Sequence, residues 1–565
     1  MNIPHSRAPG HLPPPGRPTA DIPTADRPVA NRRAALLVLC VSLLIVTLDN
    51  TILNVALPSL VRQLGATTTQ LQWIVDAYAI VFAGLLLVAG STADRFGRRR
   101  VFLAGLVLFG AASGWAAFSG SVGVLIAARG VMGAGAAMLM PPTLSIITDM
   151  FREPAQRQRA IGAWAATSGL GIAIGPVAGG LLLEHFWWGS VFLVNVPFAV
   201  LGIAGTLWLV PDSRDPAAQR PDPVGAVLSV AGLGLLLWAI IDAPAHGWSS
   251  PVVLGAGTAG LAVLAVFAGW ERASSHPMLD LGFFRDRRFS IATSSVALAM
   301  FALFGALFVL TQFLQFGLGY SAIATGVRIL PVAGVLAAVA PLSTVLVRAV
   351  GSKIVVAVGL LAIGGGLWLL SGASMASTYP DLLAGMIGLG LGAGLVVPTA
   401  LDALMGTLPP ARTGVGSATN GVAVQIGGAV GVAVVGSMLA TRYQARVAPP
   451  LSAYHLPRSV TDAVLGSLGG ALEVAGRAGG QAGALLGNLA RSAFASGMGV
   501  GLVVAAAVSV GGAAVALAAL PSRPSVQTPA PAPELPGDPR QPTEPAAEDD
   551  AAEDRGSTGA GRTGT

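Results

Sequence analysis

The sequence predicts an all-α, polytopic membrane protein: two six-helix bundles with one further pair of helices inserted between them, fourteen spanning helices in all. Three observations lead there. Hydrophobic residues make up 53% of the 565 and charged residues only 11%, with mean hydropathy +0.71, whereas a soluble domain carries about 25% charged residues. That is too little charge to cover a water-facing surface, which excludes a soluble enzyme and a disordered scaffold. Apolar stretches of the roughly 20 residues that cross a bilayer recur along the chain. Finally, the two halves of the chain repeat one pattern of motifs.

The apolar stretches fall at 34–57, 71–89, 101–118, 122–147, 160–183 and 190–210 for the first bundle (34–211). Two more, at 224–241 and 252–270, form the inserted pair (212–271). The second bundle (272–520) has 289–313, 325–347, 353–373, 382–407, 416–439 and 494–520, with a long loop over 441–490. The weakest break is at 119–121. The tails, 1–33 and 521–565, are rich in Pro, Ala, Asp and Glu and hold too little apolar surface to offset chain entropy, so they are expected to be disordered. No cleavable signal peptide is expected, because the first residues lack a short apolar core.

Arginine placement orients the spans. Alternate connections hold Arg95, Arg98, Arg99 and Arg100; Arg152, Arg157 and Arg159; Arg214 and Arg220; Arg272, Arg285, Arg287 and Arg288; Arg348 and Lys353; and Arg412. The intervening short loops hold almost none, with Arg62 the exception. The positive-inside rule places the arginine-bearing connections and both termini in the cytoplasm, and 441–490 outside. One cysteine, Cys40, excludes a disulfide framework, and the six histidines lie in tails or loops without metal-ligand spacing. No phosphate-binding Gly-x4-Gly-Lys-Ser/Thr loop is present, so ATP drive is unsupported. No cofactor, metal or nucleic-acid partner is expected.

The repeat is carried by Gly133-Ala-Gly-Ala-Ala-Met-Leu-Met-Pro141 and Gly390-Leu-Gly-Ala-Gly-Leu-Val-Val-Pro398, each followed by an arginine-bearing loop and a Gly-rich helix. Val350-Gly351-Ser352-Lys353 stands where Phe96-Gly97-Arg98-Arg99 stands in the first half. Paired repeats with a site between them at mid-membrane are the architecture of an alternating-access transporter.

Two groups of residues carry the chemistry. Gly90-Ser-Thr-Ala-Asp94-Arg95-Phe-Gly97-Arg98-Arg99-Arg100 follows the second span. Gly90 and Gly97 allow a tight turn, Asp94 and Arg98 can pair, Arg99 and Arg100 can hold the anionic membrane surface, and Asp149 ends the fourth span within reach of Arg98. An ion pair formed in one conformer alone would make this loop a conformational latch. The second group is Asp49, Arg129 and Asp76. Asp49 is 15 residues into its span, about 22 Å from the inner end, which leaves about 8 Å of a core about 30 Å thick. Arg129 is 7 residues into a span running the other way, about 10 Å from the same edge, so the depths agree. Burial favours a neutral carboxyl and a nearby guanidinium favours the ionised one. A motion that changed their separation would load and release a proton at Asp49. Asp76, at the same level, has three open roles: binding a cationic substrate, sharing the proton, or contacting Arg129.

The loop resembles the signature of the major facilitator superfamily. Further segments are similar to its fourteen-helix drug:proton antiporter branch (EmrB/QacA type). These are Leu48-Asp49-Asn50-Thr51-Ile52-Leu53-Asn54-Val55-Ala56-Leu57-Pro58, Arg129-Gly-Val-Met-Gly133-Ala-Gly135, His276-Pro277-Met278-Leu279-Asp280-Leu281, and Gln312-Phe-Leu-Gln315 through Leu330-Pro331. The run Gly171-Ile-Ala-Ile-Gly175-Pro176-Val-Ala-Gly179-Gly180 resembles the fifth-helix motif of exporters. Small residues there allow close helix approach, a contact that would seal one face of a cavity between bundles. The chain departs from the branch at Met132, where glutamine is usual, and at Gly189, where arginine is usual before Asn195-Val196-Pro197. The resemblance implies proton-coupled export of drugs or other lipophilic or cationic small molecules, with protons, the substrate and membrane lipids as partners. The alternatives are a dedicated exporter of one endogenous metabolite or antibiotic, and a non-transporting membrane sensor. Asn54, Trp73, Tyr78, Met138, Trp164, Phe304, Gln312, Gln315, Asn420 and Gln425 are the pocket candidates, because aromatic and Met faces with mid-span amides suit varied amphipathic ligands.

Overall fold

The structure, a computed structural model, describes residues 32–215, 220–408, 413–454 and 456–521. Most of both tails, Arg412 and His455 lie outside the described residues. Within them, fourteen helical spans are long and apolar enough to cross a membrane. The first bundle comprises α1 (Arg32–Leu64), α2 (Thr68–Phe96), α3 (Arg98–Ala117), α4 (Val122–Met150), α5 (Pro154–His185) and a sixth span divided into α6 (Ser190–Leu193) and α7 (Asn195–Leu209). The inserted pair is α8 (Pro223–His246) and α9 (Pro251–Ala273). The second bundle comprises α10 (Arg287–Gln312), α11 (Ala322–Val350), α12 (Ser352–Ser371), α13 (Tyr379–Met405) and α14 (Thr413–Ser452), then two short helices, α15 (Arg458–Gly466) and α16 (Leu468–Ala478), and finally α17 (Gly480–Ala519). A π-helical turn, Phe313–Gly317, extends α10.

Short connections start their helices with side-chain caps, which satisfy amides that have no partner within the helix. Thr67 and Gln70 form a reciprocal capping box at α2. Ser121 accepts from the Val124 amide, so the break at 119–121 is a true helix start. Asp222, Ser250, Asp286 and Ser321 cap α8, α9, α10 and α11 in the same way.

The repeat survives in three dimensions. Gly97 and Gly351, which divide α2 from α3 and α11 from α12, both hold positive φ, +112° and +85°. A side chain is strained in that region of backbone space, so both halves place glycine there. A β-carbon on Gly133 would strike the Tyr78 carbonyl of α2, and one on Gly390 would lie 2.5 Å from the Val332 carbonyl of α11. The pairs α2/α4 and α11/α13 are thus equivalent close contacts.

The segment 441–490 is not a loop, contrary to the sequence expectation. α14 runs on to Ser452, α17 begins at Gly480, and α15 and α16 lie between. The Tyr443 hydroxyl donates to the Val464 carbonyl at 2.8 Å and Ser467 caps α16. These helices are short and amphipathic, so no span-length apolar run announced them. Gly469 of α16 sits against Val61 of α1 and Phe316 of the π turn.

The bundles meet along two seams, α2 with α14 and α5 with α11. Gln72 donates to the carbonyls of Val432 (3.1 Å) and Ala433 (2.8 Å), and the Gln315 side chain donates to Val55 (2.9 Å). A β-carbon on Gly180 would lie 2.5 Å from Ile323, and Gly326 meets Pro176. These contacts all lie in the half remote from the arginine-bearing connections. Toward the arginine-rich face, α5 and α11 part: on α11 the buried residues are Thr325, Gly326, Ile329 and Val332, with Ser343 the one further along. The inserted pair covers the other seam. Leu233, Leu237 and Ile241 of α8 pack on Ala79 and Ile80 of α2 and on Ala429 and Ala433 of α14, while α9 lies outside α8 with most of its surface exposed.

Candidate functional site

α1 carries an unusual run of polar residues, and most are satisfied within the helix. Thr47, Asn50, Thr51 and Asn54 bond to carbonyls one turn back. Asp49 is different: both its oxygens reach across to other helices. Oδ2 accepts from Nη1 of Arg129 on α4 at 2.5 Å, and Oδ1 accepts from Nδ2 of Asn195 on α7 at 3.0 Å. Arg129 is fully buried and Asp49 is 2% exposed. The guanidinium also donates from Nε to the Ile74 carbonyl at 3.0 Å and lies 4.4 Å over the Tyr78 ring and 5.9 Å from that of Phe192. Its fixed fork, a carboxylate, a carbonyl and a π face fit together in a way a lysine could not reproduce.

Asp76 is also fully buried, and neither of its oxygens has a hydrogen-bond partner. It stands one turn below Gln72 on the face of α2 that approaches α14. Contact with Arg129, one of the three roles left open for Asp76, is not made: Arg129 pairs with Asp49.

The glycine run of α5 divides between two neighbours. β-Carbons on Gly171 and Gly175 would strike Thr47 and Thr51, and one on Gly179 would lie 3.1 Å from Ile52, so these glycines press α5 onto α1, the Asp49 helix. The Thr51 hydroxyl bonds to the Gly171 carbonyl at 3.2 Å. Gly180 and the backbone at Pro176 and Val177 meet α11 of the second bundle. The stripe therefore serves packing within the first bundle more than contact between bundles.

At the arginine-rich end, Arg98 Nε pairs with Asp94 at 2.7 Å and its Nη1 with Asp149, tying α2, α3 and α4 together. Gly90 rests on Pro141 of α4 and Arg95 is exposed. Arg99 and Arg100 also find partners within the protein. Arg99 donates to the Leu207 carbonyl, one of the unsatisfied acceptors at the C-terminus of α7, and Arg100 lies 3.8 Å from Asp212. The strand-like segment after α7 also bonds to this loop through its main chain, Arg98 N to Ser213 O (2.9 Å) and Asp215 N to Asp94 O (2.8 Å). Nothing in the side-chain pattern could reveal this strap, because its bonds are made by backbone.

The family model of the Major Facilitator Superfamily matches residues 39–432. The chain belongs to the major facilitator superfamily. It is 36% identical over 483 residues to the multidrug efflux pump LfrA of Mycolicibacterium smegmatis, covering 85% of this chain and 95% of that one. It is 32% identical over 502 residues to the tetracenomycin C resistance and export protein of Streptomyces glaucescens, covering 87% and 93%. These relatives place it in the drug:proton antiporter branch of the superfamily. Its fold resembles that of a bacterial homologue of the human lysosomal transporter Spinster in an inward-facing, unoccupied conformation, with TM-score 0.62, 18% identity, and 87% and 97% coverage.

The remaining positions of this major facilitator chain are spread over several surfaces. Tyr78 belongs to the Arg129 cluster. Asn54 and Asn420 are in the interior, each with an unpartnered amide oxygen, and Gln425 on α14 is half-buried. Phe304 of α10 abuts Gly428 of α14 and Trp164 donates to Thr143. Trp73 turns away from them, donating to Asp242 of the inserted α8 at 3.3 Å, and Met138 faces Gly105 of α3. Gln312 bonds within its own helix. Gln315 sits in the contact between bundles, where Arg62 reaches it at 3.4 Å and lies 5.5 Å over Phe316. The arginine that breaks the charge rule is thus spent on that contact. Gly189 has a physical reason: a β-carbon there would strike the Ala117 carbonyl and the Trp187 indole, leaving no room for the usual arginine. Met132 is fully buried in the core.

Proposed function

We propose that this chain is a proton-coupled exporter of lipophilic or cationic small molecules, with its arginine-rich face in the cytoplasm and residues 34–211 and 272–520 as the two halves that move. The observation that carries the coupling is the buried Asp49–Arg129 pair on the first-bundle helix against which α5 packs. A buried ion pair is costly to desolvate and is retained where both partners work. The contacts between bundles named above gather in the half remote from the arginine-rich face, so with that face inside this conformation is closed toward the outside. Protons arriving from outside reach Asp49 in the opposite conformation; a carboxyl that takes a proton loses the charge that holds it to Arg129, which loosens α1 from α4. Asp76, buried without a partner, suits either a held proton or a cationic substrate. One charge moved through about 100 mV supplies about 2.3 kcal/mol, enough for a roughly fifty-fold gradient. The relatives named for multidrug efflux support a broad range; the one named for tetracenomycin C supports a dedicated exporter as the second reading.

Ethidium transport into inverted vesicles, with and without an imposed pH gradient, tests the reading. Asp49→Asn should leave the amount of protein in the membrane unchanged and abolish the gradient-driven component. Undiminished gradient-driven transport in that variant would refute the assignment.

A further inference from the structure

Asp49 takes two bonds, and the second comes from a residue outside every charged motif. Asn195 is the first residue of α7, directly after Val194, whose backbone is itself in the helical region. It is 1% exposed. Its Nδ2 donates to Asp49 Oδ1 at 3.0 Å and lies 3.4 Å from the Ser113 hydroxyl of α3, while its own Oδ1 is buried with no partner. An idle buried acceptor beside an occupied donor is costly unless another state uses it.

We propose that Asn195 is the positioning residue of the proton site, bonded to Asp49 in both of its protonation states; this rests on Asp49 being the proton carrier. Facing the carboxylate, Asn195 donates through Nδ2. When a proton binds Asp49 Oδ1, the new O–H needs an acceptor, and Arg129 has none to offer because a guanidinium only donates. Half a turn of the Asn195 amide brings Oδ1 into the place of Nδ2, and the acid donates to it. Ser113 can give or take a hydrogen bond, so it serves both orientations. One O–H bond forms, the site gains one positive charge, and no other covalent bond changes. The amide therefore keeps the carboxyl hydrogen-bonded in both states inside a dry cluster, with one of its own two polar atoms idle in each.

The other titratable groups at this site are Arg129 from α4 and Tyr78 from α2, while Asp76 stands on the α2 face toward α14. The remaining charged residues of α1, α3 and α5 stand at their helix ends: Arg32, Arg33 and Arg62; Arg98–Arg100; and Arg157, Arg159, Glu184 and His185. α6 and α7 carry no charged residue. The bond to the ionised form is charge-assisted and about twice as strong as the neutral one. Removing the amide therefore displaces the pH at which the site fills.

The test is pH-induced infrared difference spectroscopy of the full chain in lipid nanodiscs, with protons as the only ligand. The protonated-carboxyl band that Asp49→Asn lacks marks the site. In Asn195→Leu, which is close in volume but neither donates nor accepts, the band should move to higher wavenumber and appear about one pH unit further to the alkaline side. An Asn195→Leu band at the wild-type frequency and pH overturns the proposal. If the leucine variant does not fold, Asn195→Ala, which likewise neither donates nor accepts, decides by the same two readouts. If the Asp49→Asn spectrum lacks no band, Asp49 is not the carrier and this inference falls with it. If that band is lost in Asp49→Asn but indifferent to residue 195, this inference alone fails.

Discussion

At the scale of the residue, the buried cluster turns on donors that cannot be interchanged. Arg129→Lys should reduce gradient-driven ethidium transport by about a hundred-fold with little loss of expression. One ammonium cannot bond Ile74 and Asp49 while lying over Tyr78. A variant within a few-fold of wild type would show that charge alone suffices. Depth arithmetic on two helices made the meeting of Asp49 with Arg129 legible in the sequence, because position along a span is a coordinate when the bilayer fixes the zero. Asn195 was not legible. An asparagine two residues before a proline reads as a turn, and its partner lies on a helix 146 residues away. Nor was the pairing of Trp73 with Asp242, since which face of α2 meets the inserted α8 depends on how three helices pack.

Among the elements, α5 is held to α1 by atoms that are missing. Gly175→Val would drive a branched side chain into Thr51, an overpacking cost of about 1–3 kcal/mol, whereas Gly162→Val meets nothing within 4 Å. Thermal unfolding in detergent should show a fall of several degrees for the first and little change for the second. Equal melting temperatures would mean that the helices part without penalty. The strap makes a separate expectation. Asp215→Pro deletes the amide that bonds the Asp94 carbonyl, so hydrogen exchange over 94–98 should quicken while that of α4 stays as it was. Unchanged exchange there would make the strap incidental to the loop. Apolar length and arginine spacing were enough to read fourteen spans, but α15 and α16 carry neither signal. Their helicity rests on caps and on docking against α1 and the π turn.

For the whole molecule, bundle contacts gathered in one half imply a second state with contacts in the other. Spin labels at positions 159 and 348, near the arginine-rich ends of α5 and α11, should approach one another when the transporter turns outward. Labels at 184 and 327, near the opposite ends, should separate. The lone, buried Cys40 is replaced first by alanine to give a cysteine-free background. Distance distributions that stay fixed across pH and ethidium would leave the sensor reading standing. The duplicated Gly-rich motifs made the twofold plan legible, since close helix contacts demand small residues. Which end was sealed was not, because sealing is a property of one conformer and not of the chain.

The inserted pair gives this machine a front and a back. α8 lies lengthwise over the junction of α2 with α14, whereas among the described residues no helix is laid over the junction of α5 with α11. One flank is shuttered by a further helix and the other, among the described residues, is not. A greasy compound dissolved among acyl chains would therefore meet less protein on the α5–α11 flank, and bulk added there should hinder oily cargo more than water-soluble cargo.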